Sequence, residues 1–99
     1  MVVATMRMRA RKGEEAALAR ELCELAQRVR ELEPDCLLYR AARSQHDERL
    51  FIVLEHYRDA DALAAHANSE HYRDAVTALL ERLEERPEIS LFDAIDACT

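Results

Sequence analysis

The side chains that could do chemistry are concentrated in one stretch of the sequence, from Glu55 to Tyr72. This stretch holds three of the four histidines and two of the three tyrosines. An imidazole titrates near neutral pH, so a histidine in a cavity can take a proton from an acidic phenol or enol and return it elsewhere. His66 is the first candidate for such a general base or hydrogen-bond donor. The alternative is that these histidines are ordinary residues on helix surfaces.

The spacing of residues argues against three other kinds of site. His66 and His71 are five positions apart, whereas two metal ligands on one helical face are three or four apart, so we expect no metal site. No serine lies between glycines on a nucleophile elbow. Because Gly13 is the single glycine of the chain, the sequence also cannot form the glycine-rich loops that bind nucleotide phosphates.

Charge and hydropathy restrict the possible partners. The chain has 14 Lys and Arg against 20 Asp and Glu, a net charge of −6, which disfavours binding to a phosphate backbone. No apolar run approaches the roughly 20 residues that cross a bilayer. The basic residues Arg7 to Lys12 follow the first apolar stretch, which is the reverse of a secretory signal. We therefore expect a cytoplasmic protein that binds neither nucleic acid nor a membrane.

Length and cysteine content favour one domain without disulfides. Ninety-nine residues suit a single hydrophobic core, and we assign residues 1–99 to one domain. Cys23, Cys36 and Cys98 are an odd number with no C-x-x-C pair, which fits neither a disulfide framework nor a structural zinc site. We expect them to be small core residues or a thiol at a frayed terminus.

Alternating periodicities predict the first elements of the fold. Period two from Val2 to Arg9 predicts a strand. Apolar residues then recur at steps of four and three, which predicts an amphipathic helix that Pro34 ends. This apolar stripe consists of Leu18, Leu22, Leu25, Val29 and Leu32. Cys36–Arg43 and Leu50–Tyr57 are the second and third strands, joined by a polar hairpin loop.

The remaining sequence predicts a helix in two pieces and a last strand. Asp59 and Asp61 are plausible caps for a short helix through Ala67, and Asn68-Ser69 can cap the next helix. The apolar face of that next helix consists of Tyr72, Val76, Leu79, Leu80 and Leu83. Pro87 ends the region, and Ile89 to Ile95 is the fourth strand.

The order of these elements predicts an α+β fold. Strand, helix, two strands, split helix and strand correspond to βαββαβ. Right-handed crossovers then favour a four-stranded antiparallel sheet with the helices on one face, the ferredoxin-like arrangement.

The third strand indicates that a second molecule covers the sheet. Leu50 to Leu54 is apolar at both odd and even positions, whereas helices on one side of a sheet can bury only one of the two sets. Each large side chain that is buried contributes about 1.5–3 kcal/mol. Because most soluble oligomers are symmetric and two-fold, we expect a homodimer with the open sheet faces packed together.

The segment from Glu55 to Tyr72 resembles the signature of the antibiotic biosynthesis monooxygenase family. In that signature a strand ends in Glu, one residue and an aromatic, and the next helix contains Ala-His, two residues, Ser, one residue and His. The matching positions here are Glu55, Tyr57, Leu63, His66, Ser69 and His71. Pro34 to Tyr39, with the sequence PDCLLY, is similar to the start of the family's second strand, and the resemblance covers nearly the whole chain.

The resemblance implies a dimeric α+β barrel of two facing sheets, with a pocket between sheet and helices in each subunit. It further implies a small monooxygenase that acts on a quinol, polyketide or related aromatic substrate without metal, flavin or haem. In that chemistry the substrate supplies the electrons, and its anion reacts directly with O₂. The protein supplies the shape of the pocket, the exclusion of water and a proton acceptor.

The resemblance also suggests roles for individual residues. His66 is the expected proton acceptor. The expected substrate-binding residues, which orient or donate to phenolic and carbonyl oxygens, are Tyr39, Tyr57, Asn68, His71 and Tyr72. Glu55 and Ser69 would support the site, and Glu55 could fix the loop backbone or pair with Arg58 or Arg73. His71 could equally be structural.

One departure from the family pattern argues against haem degradation, and two alternative functions stay open. The chain has no tryptophan, and His66 stands where the haem-degrading branch of the family has one, so haem degradation is not expected. The same scaffold could instead be an isomerase of a small carbonyl metabolite, because one fold hosts many chemistries. It could also be a dimer that binds a small ligand without turnover.

Overall fold

The computed structural model describes residues 1–96 and contains four strands and three helices. In chain order these are β1 (Val2–Arg9), α1 (Glu15–Leu32), β2 (Cys36–Arg43), β3 (Leu50–Tyr57), α2 (Ala60–Ala67), α3 (Glu70–Arg82) and β4 (Glu88–Asp93). The strands form one sheet in the order β2-β3-β1-β4, and every neighbouring pair is antiparallel. The predicted ferredoxin-like fold, including the split second helix, is confirmed.

The core lies between one face of the sheet and the helices. Met6 and Met8 of β1 and Phe51 and Val53 of β3 point toward the helices and are buried. On α1 the predicted stripe is buried at Leu18, Leu22, Leu25 and Val29. Leu32 was also expected in this stripe, but it is the last residue of the helix and is 58% exposed.

Other details of the sequence prediction need correction. The fourth strand is Glu88–Asp93 and therefore ends before Ile95. On α3, Leu79 takes the inward position, so its neighbour Leu80 is rotated outward and is 45% exposed. Cys23 is exposed and is not a core residue. Cys98 lies outside the described residues.

Two caps divide the second helical region. Asp59 begins α2, where its Oδ1 accepts a hydrogen bond from the backbone N–H of Ala62 at 2.8 Å. Ser69 begins α3, where its Oγ accepts from the N–H of Tyr72. Because these hydroxyl and carboxylate groups satisfy the free N–H groups of a new first turn, the chain changes direction at Asn68 and Ser69. None of the three helices in residues 1–96 is long and apolar enough to cross a membrane.

The two sets of side chains on β3 have different surroundings. Phe51 and Val53 face the helices, whereas Leu50, Ile52 and Leu54 lie on the opposite face of the sheet. Leu54 is 37% exposed, and Phe92 of β4, on the same open face, is 53% exposed. The single chain therefore leaves apolar surface on this face, as the sequence predicted.

Candidate functional site

Four elements bring one histidine and several polar side chains together under α2. His66 comes from the last turn of α2, Glu55 and Tyr57 from the end of β3, Tyr39 from β2 and Tyr72 from the first turn of α3. We call these five residues the His66 cluster. The imidazole is enclosed by aromatic rings, with centroids 5.4 Å away for Tyr39 and Tyr57 and 4.4 Å away for Tyr72. His66 itself is 2% exposed.

On the Nε2 side of His66, some buried polar atoms lack hydrogen-bond partners. Within residues 1–96, Nε2 of His66 and the hydroxyl of Tyr39 are buried without a hydrogen-bond partner. Oε1 of Glu55 lies 3.9 Å from Nε2, and that oxygen accepts a hydrogen bond from Tyr57 at 2.5 Å. Buried polar groups are nearly always satisfied in folded proteins. Two unsatisfied atoms in one cluster therefore favour a ligand that would satisfy them.

Burial controls the protonation of the acidic groups in this cluster. Burial raises the pKa of the Glu55 carboxyl above its ordinary value, against the opposing effect of the Tyr57 hydrogen bond. Burial, followed by the nearby Glu55 charge, raises the pKa of the Tyr39 phenol. The pKa of Tyr57 is raised by burial and by its hydrogen bond to Glu55, and that of Tyr72 by burial and the Glu55 charge. All three phenols are therefore neutral hydrogen-bond donors.

The other ring nitrogen of His66 contacts a carboxylate from α1. Glu33, the residue at the C-terminal cap of that helix, places its two carboxylate oxygens 2.8 and 2.9 Å from Nδ1 of His66. The same carboxylate also makes a hydrogen bond with Nε2 of His71, in the first turn of α3, at 2.5 Å. Glu33 thus lies between two imidazoles from two different helices.

Sequence reasoning missed Glu33, although the sequence contains a weak signal for it. A helix C-terminus has partial negative charge and favours cations, so a carboxylate at that position is unfavourable without a partner. Glu33 stands directly before Pro34, at the end of α1. Such a misplaced charge indicates a partner elsewhere in the chain, but it does not identify the partner.

The spacing argument against a metal site was wrong in its premise. It applied the spacing rule of a single helix to His66 and His71, although the capping residues predict a new helix between them, and the structure has that helix beginning after Ser69. The turn brings Nδ1 of His66, Nε2 of His71 and a carboxylate oxygen of Glu33 within 4.8 Å of one another. Two histidines that are five positions apart can therefore direct their nitrogens toward the same carboxylate.

Of the remaining expected site residues, Ser69 lies at the site and Asn68 does not. Ser69 supports the site, because its hydroxyl donates to the carbonyl of His66 at 2.7 Å and lies 3.2 Å from Nε2 of His71. Asn68 is exposed, and its amide donates to the carbonyl of Ala64, so it does not join the His66 cluster.

The expected arginine partner of Glu55 is also replaced. Glu55 accepts its hydrogen bond from Tyr57, two positions along the same strand. Arg58 pairs instead with Asp35 at 3.4 Å. Because strand residues two apart point to the same face, Glu55 and Tyr57 are both directed under the helices, whereas Arg58 follows the strand and is exposed.

A sizeable cavity lies away from the His66 cluster. It has a volume of about 580 Å³ and lies between α1 and β2. Arg30, Arg40 and Arg43 line it together with small and apolar side chains, and it does not reach His66. Cavity size alone does not indicate chemistry, whereas the His66 cluster combines burial, unsatisfied polar atoms and shifted pKa values. We therefore take the His66 cluster as the candidate site.

The arrangement around His66 is that of an oriented imidazole. When Nδ1–H donates to the Glu33 carboxylate, the lone pair of a neutral imidazole is on Nε2, directed into the His66 cluster. A carboxylate that holds one ring nitrogen fixes both the tautomer and the ring orientation, and it stabilises the imidazolium that forms when Nε2 takes a proton. The site can therefore accept a proton from a bound acid.

Comparison with known proteins gives a family match over most of the chain. Residues 1–89 match the model of the family described as antibiotic biosynthesis monooxygenase. No curated protein matches the chain.

Solved structures resemble the chain over nearly its full length. A protein of Caulobacter crescentus, provisionally assigned as an antibiotic biosynthesis monooxygenase, is 27% identical with a TM-score of 0.91 and covers 96% of this chain and 90% of its own. A Deinococcus radiodurans protein with the same provisional assignment is 25% identical with a TM-score of 0.90 and covers 100% and 97%. A Pseudomonas aeruginosa protein is 30% identical with a TM-score of 0.85 and covers 95% and 93%.

Proposed function

Because this chain belongs to the antibiotic biosynthesis monooxygenase family, we propose that it is a small monooxygenase that oxidises a quinol, polyketide or related aromatic substrate. The substrate, and not a flavin or a haem, supplies the electrons. Its acidic hydroxyl would bind in the His66 cluster, between the sheet and the helices.

One observation supports this proposal above all others. Nδ1 of His66 contacts the Glu33 carboxylate, while its Nε2 is buried with no partner among the described residues. An imidazole held in this way is a general base with its free nitrogen in a water-poor environment. A phenolic or enolic hydroxyl beside Nε2 would satisfy the unpartnered nitrogen and lose its proton to it.

The tyrosines of the His66 cluster have complementary roles in the proposal. The unpartnered hydroxyl of Tyr39 would donate to the oxyanion that forms, and it stays protonated because burial raises its pKa. Tyr57 and Tyr72 would complete the walls of the site, and Glu55 would hold Tyr57 in place. Donors directed at a developing negative charge in a dry site are worth much more than in water.

The proposed reaction has a simple course. Nε2 of His66 takes the hydroxyl proton, and the electron-rich anion of the substrate transfers electrons to O₂. One oxygen atom forms a bond to a substrate carbon that carries hydrogen, and the peroxide that results takes the proton held by His66. The hydrogen of that carbon then leaves as a proton to Nε2 while the O–O bond breaks, so the first oxygen becomes the product carbonyl. The departing hydroxide takes this second proton from His66 and leaves as water, which restores the neutral imidazole.

Substrate entry requires an opening, because His66 is almost completely buried. His66 belongs to α2, a helix of eight residues in which no other residue is buried. Tyr72, whose ring lies 4.4 Å from the imidazole, is only partly buried. Elements with few buried apolar contacts open at the lowest free-energy cost. We propose that a displacement of α2 with the Tyr72 ring admits the substrate.

We also propose that the functional molecule is a homodimer through the open sheet face. Leu54 and Phe92 leave apolar surface there, together with the partly buried Leu50 and Ile52. A second copy that packs the same face against it would bury these side chains, and two-fold pairing is the commonest arrangement. The dimer would close the α+β barrel.

Oxygen consumption tests the proposed activity. A panel of hydroquinones and polycyclic phenols is supplied to the metal-free protein, and O₂ uptake is followed with an electrode. A general base contributes about 10²–10⁴-fold to a rate, so His66→Gln should lower kcat by roughly a hundredfold or more. The matched control is His46→Gln, since His46 lies in the exposed loop between β2 and β3. This control should retain the wild-type rate.

The possible results separate the proposal from other functions of the same fold. Equal oxygen uptake by wild type and His66→Gln would contradict the role of His66 as the base. Binding of a phenol without any oxygen uptake would indicate a ligand-binding protein. Conversion of a carbonyl compound without oxygen uptake would indicate an isomerase.

A further inference from the structure

Glu33, His66 and His71, which we call the His-Glu-His group, bring three metal-ligating atoms together on the side of His66 that faces away from the sheet. We propose that this group is a binding site for a divalent transition metal ion of the zinc type. The three donor atoms lie within 4.8 Å of one another. The proposal goes beyond the oxygenase activity, which uses the opposite nitrogen of His66.

The donor set suits such an ion. Two imidazole nitrogens and one carboxylate oxygen are the three protein ligands of several zinc sites that keep a fourth position for water. Borderline ions such as Zn²⁺ and Co²⁺ favour this mixture, whereas Mg²⁺ and Ca²⁺ favour oxygen alone. The donors come from three different helices, so they can surround an ion and do not lie in one row.

Metal binding requires the three donor atoms to move to nearly equal separations. The contacts of Glu33 with Nδ1 of His66 and with Nε2 of His71 are 2.8 and 2.5 Å long. Ligand atoms about 2.0–2.1 Å from a tetrahedral ion lie about 3.3 Å apart, so each of these contacts must lengthen by roughly 0.5–0.8 Å. The two nitrogens, which lie within 4.8 Å of each other, must approach by up to about 1.5 Å.

An entry path leads to two of the ligands. Glu33 and His71 line a groove of about 210 Å³ beside the end of α1, and both side chains are 12% exposed. Leu32 and Asp35, which are exposed, also line this groove, so it opens to solvent. The ion can therefore enter without an opening of the His66 cluster, and water can occupy the fourth position.

The thiol in the same groove is not needed as a ligand. Cys36 lines the groove, but its S–H donates to the carbonyl of Leu38. The donor atoms that lie within 4.8 Å of one another belong to Glu33, His66 and His71 and do not include the Cys36 sulfur. The proposed site is therefore one of nitrogen and oxygen donors.

A metal ion bound in this site would prevent His66 from acting as a general base. An ion at Nδ1 of His66 takes the lone pair of that nitrogen, so the proton of a neutral imidazole must be on Nε2. The metal-filled protein would then have a donor, not an acceptor, in the His66 cluster. This consequence rests on the proposed function, whereas the existence of the site does not.

Metal binding can be measured without any enzyme activity. The metal-free full chain is titrated with Co²⁺ and followed by visible absorption, and Zn²⁺ binding is measured by calorimetry. We expect one ion per chain, with the ligand-field bands of a nitrogen-oxygen site and no thiolate charge-transfer band. His71→Gln keeps a hydrogen-bond donor for Glu33 but loses a ligand, so its affinity should fall at least about tenfold. His46→Gln is the matched control and should bind as the wild type does.

Each result has a defined meaning. No stoichiometric binding, a thiolate band, or equal affinity in wild type and His71→Gln would overturn the site. If the metal-free protein takes up oxygen, saturation with Zn²⁺ should abolish most of that uptake. Full uptake by the Zn²⁺-saturated protein would overturn the exclusion of the base. If the metal-free protein takes up no oxygen, the oxygenase proposal fails, and the absorption and affinity results still decide the site.

Discussion

At the scale of single residues, the two nitrogens of His66 have opposite surroundings. Nδ1 contacts the Glu33 carboxylate, which is partly exposed, whereas Nε2 is directed at buried aromatic rings. This asymmetry gives the imidazole a defined tautomer and a defined direction for proton transfer. It also makes one residue part of two proposed sites that cannot operate at the same time.

The Glu33 carboxylate should affect catalysis through His66. We expect Glu33→Gln to lower kcat about tenfold or more with little change in KM, because an amide no longer stabilises the imidazolium or fixes the tautomer. Glu31→Gln removes an exposed charge two positions earlier on α1 and should leave kcat unchanged. Steady-state kinetics with both variants tests this. A larger KM with unchanged kcat would show that Glu33 acts on substrate binding instead.

The buried Glu55 carboxylate should lower the stability of the folded protein at neutral pH. Its pKa is raised in the folded state by burial, so the folded protein binds this proton more tightly than the unfolded chain does. Stability from this group is therefore present at low pH and is lost as the pH rises through the folded pKa. Glu55→Gln should be more stable than wild type at pH 7, and the difference should shrink toward acidic pH.

Urea unfolding at several pH values measures this difference. Glu85→Gln, an exposed change near the end of α3, controls for the loss of one negative charge. If Glu55→Gln is less stable than wild type at pH 7, the ionised carboxylate is better satisfied than its burial suggests.

At the scale of elements, the interruption between α2 and α3 creates the site. A continuous helix would place His66 and His71 on different faces, whereas the new N-terminus at Ser69 turns both imidazoles toward Glu33. The sequence identified this interruption from its capping residues, because caps are local features. It did not identify its consequence, because the direction of α3 after the turn depends on packing against α1.

The N-terminal cap of α2 should control the stability of the helix that contains His66. Asp59 accepts a hydrogen bond from Ala62, whereas Asp61 lies in the first turn without that contact. We expect Asp59→Ala to lower the free energy of unfolding by about 1 kcal/mol and Asp61→Ala by a few tenths. Thermal unfolding of both variants measures this. Equal effects would show that charge near the helix end matters more than the capping hydrogen bond.

At the scale of the whole molecule, the helices cover β1 and β3 on one face of the sheet, and no element of the chain covers the opposite face within residues 1–96. The helices cover Met6, Met8 and Val53, while Leu54 and Phe92 remain exposed on the other side. The two-sided apolar character of β3 indicated this arrangement, since period two assigns alternate residues to opposite faces. Which set faces the helices was not evident from the sequence, because both sets are equally apolar.

A charge on the open face should separate the proposed dimer. Leu54→Lys would place an ammonium group in an apolar interface, and we expect the dimer dissociation constant to rise about tenfold or more. Leu80→Lys is the matched control, because Leu80 is similarly exposed but lies on α3, on the helical side. Sedimentation velocity at micromolar concentration measures both. A wild-type monomer, or a Leu54→Lys variant that stays dimeric, would contradict pairing through this face.

The sequence by itself determined the order and type of the elements, because periodicity, caps and prolines act over a few neighbouring residues. It also predicted His66 and the tyrosines as candidate site residues, and the structure brings these side chains together. Only the tertiary structure decided that Glu33, which is 33 positions from His66, contacts its Nδ1, and that Asn68 points away from the cluster. Such contacts depend on where α1 ends relative to α2 and α3. That relation is set by the packing of the three helices on the sheet, which no local pattern in the chain records.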